Sequence, residues 1–274
     1  MTDPLLQHLS PDVRMTHTRY GLMLYPANDM FIGPCLEAYG EYGAEEANMF
    51  RQVIRPGDVV ADVGANIGSH TLLYSQLVGE AGHVLAFEPQ PKIFHMLCAN
   101  LALNGLANVT TYQAGVGEKA GALKVSPPNA EARVNFGGVS LGDEGTETVN
   151  IVTLDSLGLD RLDFVKVDVE GMEEAVIRGA TKTLKRFRPR LYIENDGLDT
   201  RLDVSASLIR TIRALGYRLW WHVAPIYQPG NFRGYNENIF RQNVVSVSML
   251  CIRDDEPVET NFDEILDDRA VPVI

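Results

Sequence analysis

From Asp58 onward, short β-branched runs alternate with helical patterns, and this alternation constrains the fold more than any other feature of the chain. The runs are DVVADV (58–63), HVLAFE (83–88), VTTYQA (109–114), DFVKVD (163–168) and RLYIE (190–194), then YRLWWHV (217–223) and VVSVSMLCI (244–252). Helices are expected near Gly68, near Gln90, from Met172 and near Val204. Parallel neighbours need a crossover between them, so such alternation predicts a mostly parallel sheet with helices on its faces. After Tyr217 two strands follow each other without a convincing helix, which predicts a closing antiparallel pair. The expected fold is α/β and Rossmann-like, a mostly parallel seven-stranded sheet with a final antiparallel strand.

Other segments are placed around that sheet. In Met172–Phe187, the residues Met172, Val176, Ala180, Leu184 and Phe187 recur at helical spacing and form a core face. Gly115 to Val152 does not read as one helix; Gly137-Gly138 and the Leu141–Gly145 stretch suggest short strands and turns inserted near the mouth of the sheet. Residues 1–50 are expected to form an N-terminal cap, 51–253 the sheet domain, and 254–274 an acidic, proline-punctuated surface tail.

At 274 residues, with 45% hydrophobic and 22% charged side chains, the chain can bury one generous core with a small cap. Its 24 Lys+Arg against 36 Asp+Glu give a formal charge of -12, which opposes the counterion release that drives nucleic-acid binding. No nucleic-acid partner is expected. Cys35, Cys98 and Cys251 are too few and too scattered for a disulfide framework or a metal-ligand spacing. The N-terminus lacks a basic-then-apolar signal region, and no apolar run approaches a membrane span. A cytoplasmic location follows as the expectation, and the sequence leaves the oligomeric state open.

The stretch ADVGANIGSHT, Ala61 to Thr71, carries the most chemistry. Gly64 follows a strand and Gly68 opens a helix, so the backbone can turn tightly and approach a nucleotide. A dinucleotide fingerprint would require glycine where Asn66 and Ser69 stand. Asp62, at the strand end, would repel a pyrophosphate and attract a cation. Asn66 tolerates the left-handed conformation better than most residues and can replace a glycine in the turn. Glu88 ends the next strand, where an acid meets ribose hydroxyls in nucleotide-binding βαβ units. A nucleoside with a cationic amino-acid tail and no pyrophosphate is S-adenosylmethionine. Asp62, Gly64, Asn66, Gly68 and Glu88 are therefore the candidate cofactor residues.

In order along the chain, ADVGANIG, FEPQP, VTLDSL, FVKVDVEGMEEAVIRGA and RPRLYIEND resemble the motifs of FkbM-type methyltransferases, covering about Asp58 to Asp196. The resemblance implies a class I S-adenosylmethionine-dependent methyltransferase acting on a hydroxyl of a sugar, glycan or secondary metabolite. Its first motif falls on Asp62, Gly64, Asn66 and Gly68, its ribose acid on Glu88, and its later motif on Lys166, Asp168, Glu170 and Gly171.

Methyl transfer from a sulfonium requires an aligned acceptor and a group to hold or take its proton. Asp168 and Glu170 are expected at a carboxyl strand end, where ligands of parallel sheets bind, and Lys166, Asp168 and Glu170 share strand parity. Asp168 is the first catalytic candidate. Glu170 has an ion pair with Lys166 as its competing role. His222, after Trp220-Trp221, is a candidate base with packing as the alternative. Glu194 would shape the acceptor pocket, and His70 would line the cofactor site. Asp168, Asn195 and Asp196 offer a magnesium ion oxygen ligands, but no metal is expected, because acids at neighbouring strand ends are common without one. Ser126-Pro127-Pro128-Asn129 resembles the loop of amino-methylating nucleic-acid enzymes but lacks the final aromatic residue. The alternatives are a nicotinamide-dependent oxidoreductase, opposed by Asn66 and Ser69, and a non-catalytic protein that binds S-adenosylmethionine.

Overall fold

The computed structural model describes residues 10–126, 132–142, 144–196, 202–240 and 242–273. A hairpin of β1 (Val13–Thr18) and β2 (Gly21–Pro26) is followed by α1 (Ile32–Ala38) and α2 (Ala44–Val53). The alternating part then runs β3 (Val59–Val63), α3 (Ser69–Val78), β4 (His83–Phe87), α4 (Pro91–Leu103) and β5 (Val109–Tyr112). A small sheet of β6 (Gly115–Val116), β7 (Gly121–Val125) and β8 (Glu147–Val152) interrupts it. Next come β9 (Phe164–Val167), α5 (Glu173–Gly179), α6 (Thr181–Phe187), β10 (Arg190–Glu194), α7 (Leu202–Arg213), β11 (Tyr217–Pro225) and β12 (Val245–Arg253).

The seven-stranded sheet has the order β11-β12-β10-β9-β3-β4-β5. β3, β4, β5, β9 and β10 pair in parallel, while β12 runs antiparallel to both β10 and β11. Each expected strand from Asp58 onward therefore lies in this sheet. β9 is buried along its whole length and β3 along most of it, so apolar residues face both sides of the sheet and only Asp62 and Lys166 interrupt them. Alternate residues serve opposite faces. Val60, Val84, Phe164 and Tyr192 join one core with α2, α3 and α4, whereas Ala61, Leu85, Val165 and Leu191 join a second with α5, α6 and α7. From β3 the chain progresses outward to β4 and β5, and from β9 the other way to β10. The order thus reverses between β3 and β9, and this switch point is where open α/β sheets bind ligands.

Three segments differ from the expectation in detail. Tyr20, Met23 and Tyr25 share a core with Val60 and Leu72, so the β1–β2 hairpin packs into the main body, and α2 crosses the boundary placed at residue 50. Part of the C-terminal tail lies along β11: Ile265 is buried and its N–H donates to the Leu219 carbonyl. The helix expected over Met172–Phe187 is divided at Ala180, which has φ -111° and ψ 3°. Asp155 accepts from the backbone N–H groups of Lys182 and Thr183 at 3.1 and 2.7 Å, capping the second piece in a way that spacing alone does not reveal. Val176, Ala180 and Leu184 remain buried on one face. Among the described residues no helix is long and apolar enough to cross a membrane.

Candidate active site

The turn after β3 is strained where the sequence supplies residues that tolerate strain. Gly64, Asn66 and Gly68 have φ of 84°, 50° and 88°, so Asn66 does occupy the left-handed region as a glycine substitute. Gly64 has a second requirement: a Cβ there would lie 1.8 Å from the Asp168 carbonyl oxygen. The turn is therefore pressed against the end of β9, with which β3 pairs.

Glu88 braces this turn from the neighbouring strand. Its Oε2 accepts from the Asn66 N–H at 3.1 Å and its Oε1 from the Gln90 N–H at 2.8 Å. Burial raises its pKa to about 7, partly offset by those two donors. Asp62 is fully buried; Oδ2 accepts from the Thr71 hydroxyl at 2.6 Å, while Oδ1 has no hydrogen-bond partner among the described residues. Burial raises the Asp62 pKa against the pull of Lys166 and Thr71.

Lys166 joins the two strand ends. Its Nζ lies 2.9 Å from Asp168 Oδ2 and 3.9 Å from Asp62 Oδ1, and donates to the Gly64 carbonyl at 3.2 Å. Burial works against its charge, yet Asp168 and Asp62 hold its pKa above the ordinary lysine range. Asp168 keeps 40% side-chain exposure. Burial opposes its charge too, but Lys166 and a hydrogen bond with Glu194 outweigh that and hold its pKa below the usual range. Glu194, pushed well above the carboxylate range by burial and by Asp168, carries the proton of that bond.

Asp62, Gly64, Asn66, Glu88, Asp168, Glu170 and Glu194 all line one cavity at the carboxyl ends of β3, β4, β9 and β10. A smaller apolar slot opens beside it, with Ala114, Val139, Leu141 and Met172 among its walls and Gly64 and Glu88 common to both. The insertion after β5 is held over the site, because Gln90 Nε2 donates to the Phe136 carbonyl at 2.9 Å. Gly68 lies under the helix start without lining the cavity, against Leu97 and Leu72.

The remaining candidates fall differently. Glu170 reaches the cavity from a left-handed position, φ 53°, past the end of β9, and Lys166 pairs with Asp168. His222 is set behind the cavity wall: its Nδ1 is 2.8 Å from the Tyr192 hydroxyl and its ring stacks on Phe262. Burial lowers its pKa. Asn195, weighed as a magnesium ligand, turns its amide to Ser205 Oγ at 2.9 Å. Carboxylate oxygens of Asp168, Glu170 and Glu194 are the ones brought within 4.8 Å of one another. Pro127, Pro128 and Asn129 lie outside the described residues.

Sequence reasoning missed Glu46, Tyr42 and Ser246, which line the cavity from outside the recognised motifs. Glu46 sits in the first turn of α2 beside Glu45, a pattern indistinguishable in sequence from solvated helix-start acids.

The sheet order and a cavity bounded by Asp62 and Glu88 at the switch point define a Rossmann-like class I methyltransferase fold. The family model described as the methyltransferase FkbM domain matches residues 62–219, more than half of the chain, and the chain belongs to that family. Among its relatives, the hexuronic acid methyltransferase AglP of Haloferax volcanii is 32% identical over 148 residues, covering 53% of this chain and 59% of AglP. The 31-O-demethyl-FK506 methyltransferase FkbM of Streptomyces tacrolimicus is 29% identical over 198 residues, covering 60% of this chain and 71% of its own. This chain thus spans under two thirds of AglP's length. A solved FkbM methyltransferase from Methylobacillus flagellatus KT superposes with a TM-score of 0.45 at 16% identity, covering 74% of this chain and 50% of that one.

Proposed function

We propose that the protein transfers a methyl group from S-adenosylmethionine to a hydroxyl of a sugar, glycan or secondary metabolite. The observation that carries the reading is Asp62 Oδ1, a buried carboxylate oxygen without a hydrogen-bond partner among the described residues, in the same cavity as Glu88. An ammonium group satisfies the first, and ribose hydroxyls donate to the second. Gly64 and Asn66 hold the backbone between them, and the apolar slot beside Glu88 suits a nucleobase. The bound cofactor supplies a methyl group on a sulfonium. Asp168, exposed to the cavity and fixed by Lys166, accepts a hydrogen bond from a hydroxyl of the acceptor next to the reacting one and so orients the acceptor, with Glu170 and Glu194 alongside.

Oxygen is favoured as nucleophile by two relatives whose names specify it, the 31-O-demethyl-FK506 enzyme and the 2-O-methyltransferase NoeI of Sinorhizobium fredii. AglP, named for hexuronic acid, supports a sugar acceptor. The three unpaired cysteines support a reducing, cytoplasmic setting, and the net charge of -12 supports an acceptor other than nucleic acid.

The test incubates protein and S-adenosylmethionine with a panel of hydroxylated sugars and polyketides and reads methylated product by mass spectrometry. Calorimetry with S-adenosylhomocysteine and NAD accompanies it. Tight NAD binding without a response to S-adenosylhomocysteine would overturn the reading; cofactor binding with no product from any acceptor would leave a non-catalytic binder.

A further inference from the structure

We propose that Glu46, delivered by α2 from outside the matched family region, takes the proton of the acceptor hydroxyl during methyl transfer, held in place by Tyr192, Ser246 and Gly43. The assignment rests on the methyltransferase reading above.

Glu46 lines the same cavity as Asp62 and Asp168 while only 5% exposed. Two hydroxyls fix one of its oxygens: Oε1 accepts from Tyr192 at 3.2 Å and from Ser246 at 3.0 Å. The other oxygen, Oε2, remains for a proton. It stands 3.9 Å from His70 Nε2, itself buried without a hydrogen-bond partner among the described residues. Gly43, at φ 62°, keeps this space open, since a Cβ there would lie 2.6 Å from Oε2 and 2.7 Å from Nε2. His222 supports the arrangement from behind through Tyr192.

Three other acids of the cavity help to build it. Asp168 is paired with Lys166, Asp62 is set beside the turn with Thr71, and Glu88 braces Asn66. Glu46 faces Lys166 and Asp168 from β9 and its end, His70 and Tyr74 from α3, Tyr42 from the preceding turn, and Tyr192 from β10. Burial, opposed by Lys166 and reinforced by Asp168, brings its pKa to about 7, where a carboxylate is a competent base near neutrality.

In the step, the hydroxyl oxygen bonds to the methyl carbon, the sulfur keeps the electron pair of the bond that breaks, and the hydroxyl proton passes to Glu46 Oε2. A carboxylate and a sulfonium become a carboxylic acid and a thioether. The buried site thereby loses both charges at once, which a desolvated cavity favours.

Glu46→Gln keeps an oxygen for Tyr192 and Ser246 and removes the base. With an acceptor identified from the panel, its turnover should fall by about a hundredfold or more. Its calorimetric affinity for S-adenosylhomocysteine should stay within about twofold, a change of ~0.4 kcal/mol. The wild-type turnover should rise with pH through about 7, and the variant should lack that limb. Infrared difference spectra should show a carboxylic-acid band titrating over the same range in the wild type and reduced in the variant, Glu88 accounting for what remains. Ser246→Ala, a milder change, should move the limb to higher pH by removing a donor to the carboxylate. Undiminished turnover in Glu46→Gln, or a fall in S-adenosylhomocysteine affinity that accompanies its lost turnover, would overturn the assignment while leaving the enzyme class intact. A wild type that methylates no acceptor overturns the parent reading and this one with it.

Discussion

Lys166 Nζ sits 2.9 Å from Asp168 Oδ2, so the lysine lining the cavity is spent on the acid nearest the strand end. The pair keeps Asp168 ionised, because Lys166 and the Glu194 hydrogen bond outweigh the cost of burial. An ionised acid with a depressed pKa is a good hydrogen-bond acceptor and a poor base, which suits orientation of the acceptor. Asp168→Asn keeps the volume and removes the charge. Turnover is expected to fall about a hundredfold, with S-adenosylhomocysteine affinity little changed, in a variant shown by circular dichroism to be folded. Near-normal turnover would remove Asp168 from the mechanism.

Glu88→Ala should weaken S-adenosylhomocysteine binding by about 1–3 kcal/mol through loss of charge-assisted bonds to the ribose. The pH dependence has a definite sign. Hydroxyl donors prefer the carboxylate, so affinity should rise as pH passes upward through about 7 and the trend should vanish in Glu88→Gln. In the free protein the same raised pKa acts on folding: this group's contribution is greatest below the ordinary 4.5 and is lost as pH rises toward about 7. Calorimetry across that range tests binding, and thermal melts test folding.

Chelation should leave turnover intact. Asp168, Glu170 and Glu194 approach closely enough to hold a cation, but Lys166 already neutralises Asp168, and Glu194 is joined to it by a proton. Activity abolished by EDTA and restored by magnesium would establish an oxygen-ligand metal site there instead.

Gly64→Ala should damage both stability and binding. The left-handed backbone alone costs a side chain about 1–3 kcal/mol. Here the added Cβ also meets the Asp168 carbonyl oxygen at 1.8 Å, so β3 and β9 must separate at the site. A lowered melting temperature together with weaker S-adenosylhomocysteine binding is the expected outcome. Unchanged values for both would contradict the close approach of the two strand ends.

Much of this was legible in the sequence because it is local. The seven sheet strands announce themselves as β-branched runs, and Gly64, Asn66 and Gly68 reveal their turn because few residues accept positive φ. Asp62 and Glu88 are readable because they end adjacent strands, and parity carries Lys166 and Asp168 to one side. The tertiary structure alone decided what depends on distant approach. Asp155 divides the Met172–Phe187 helix from 28 residues away in sequence, through its bond to Thr183. His222, beside Trp221 in the chain, is linked through Tyr192 to Glu46, and Glu46 enters the cavity from a helix whose acids look solvated in one dimension. Strand pattern and turn chemistry follow from each residue's own backbone preferences and periodicity. Which acid ends beside which donor follows from how α2, β10 and β12 pack around the switch point, and no local preference encodes that.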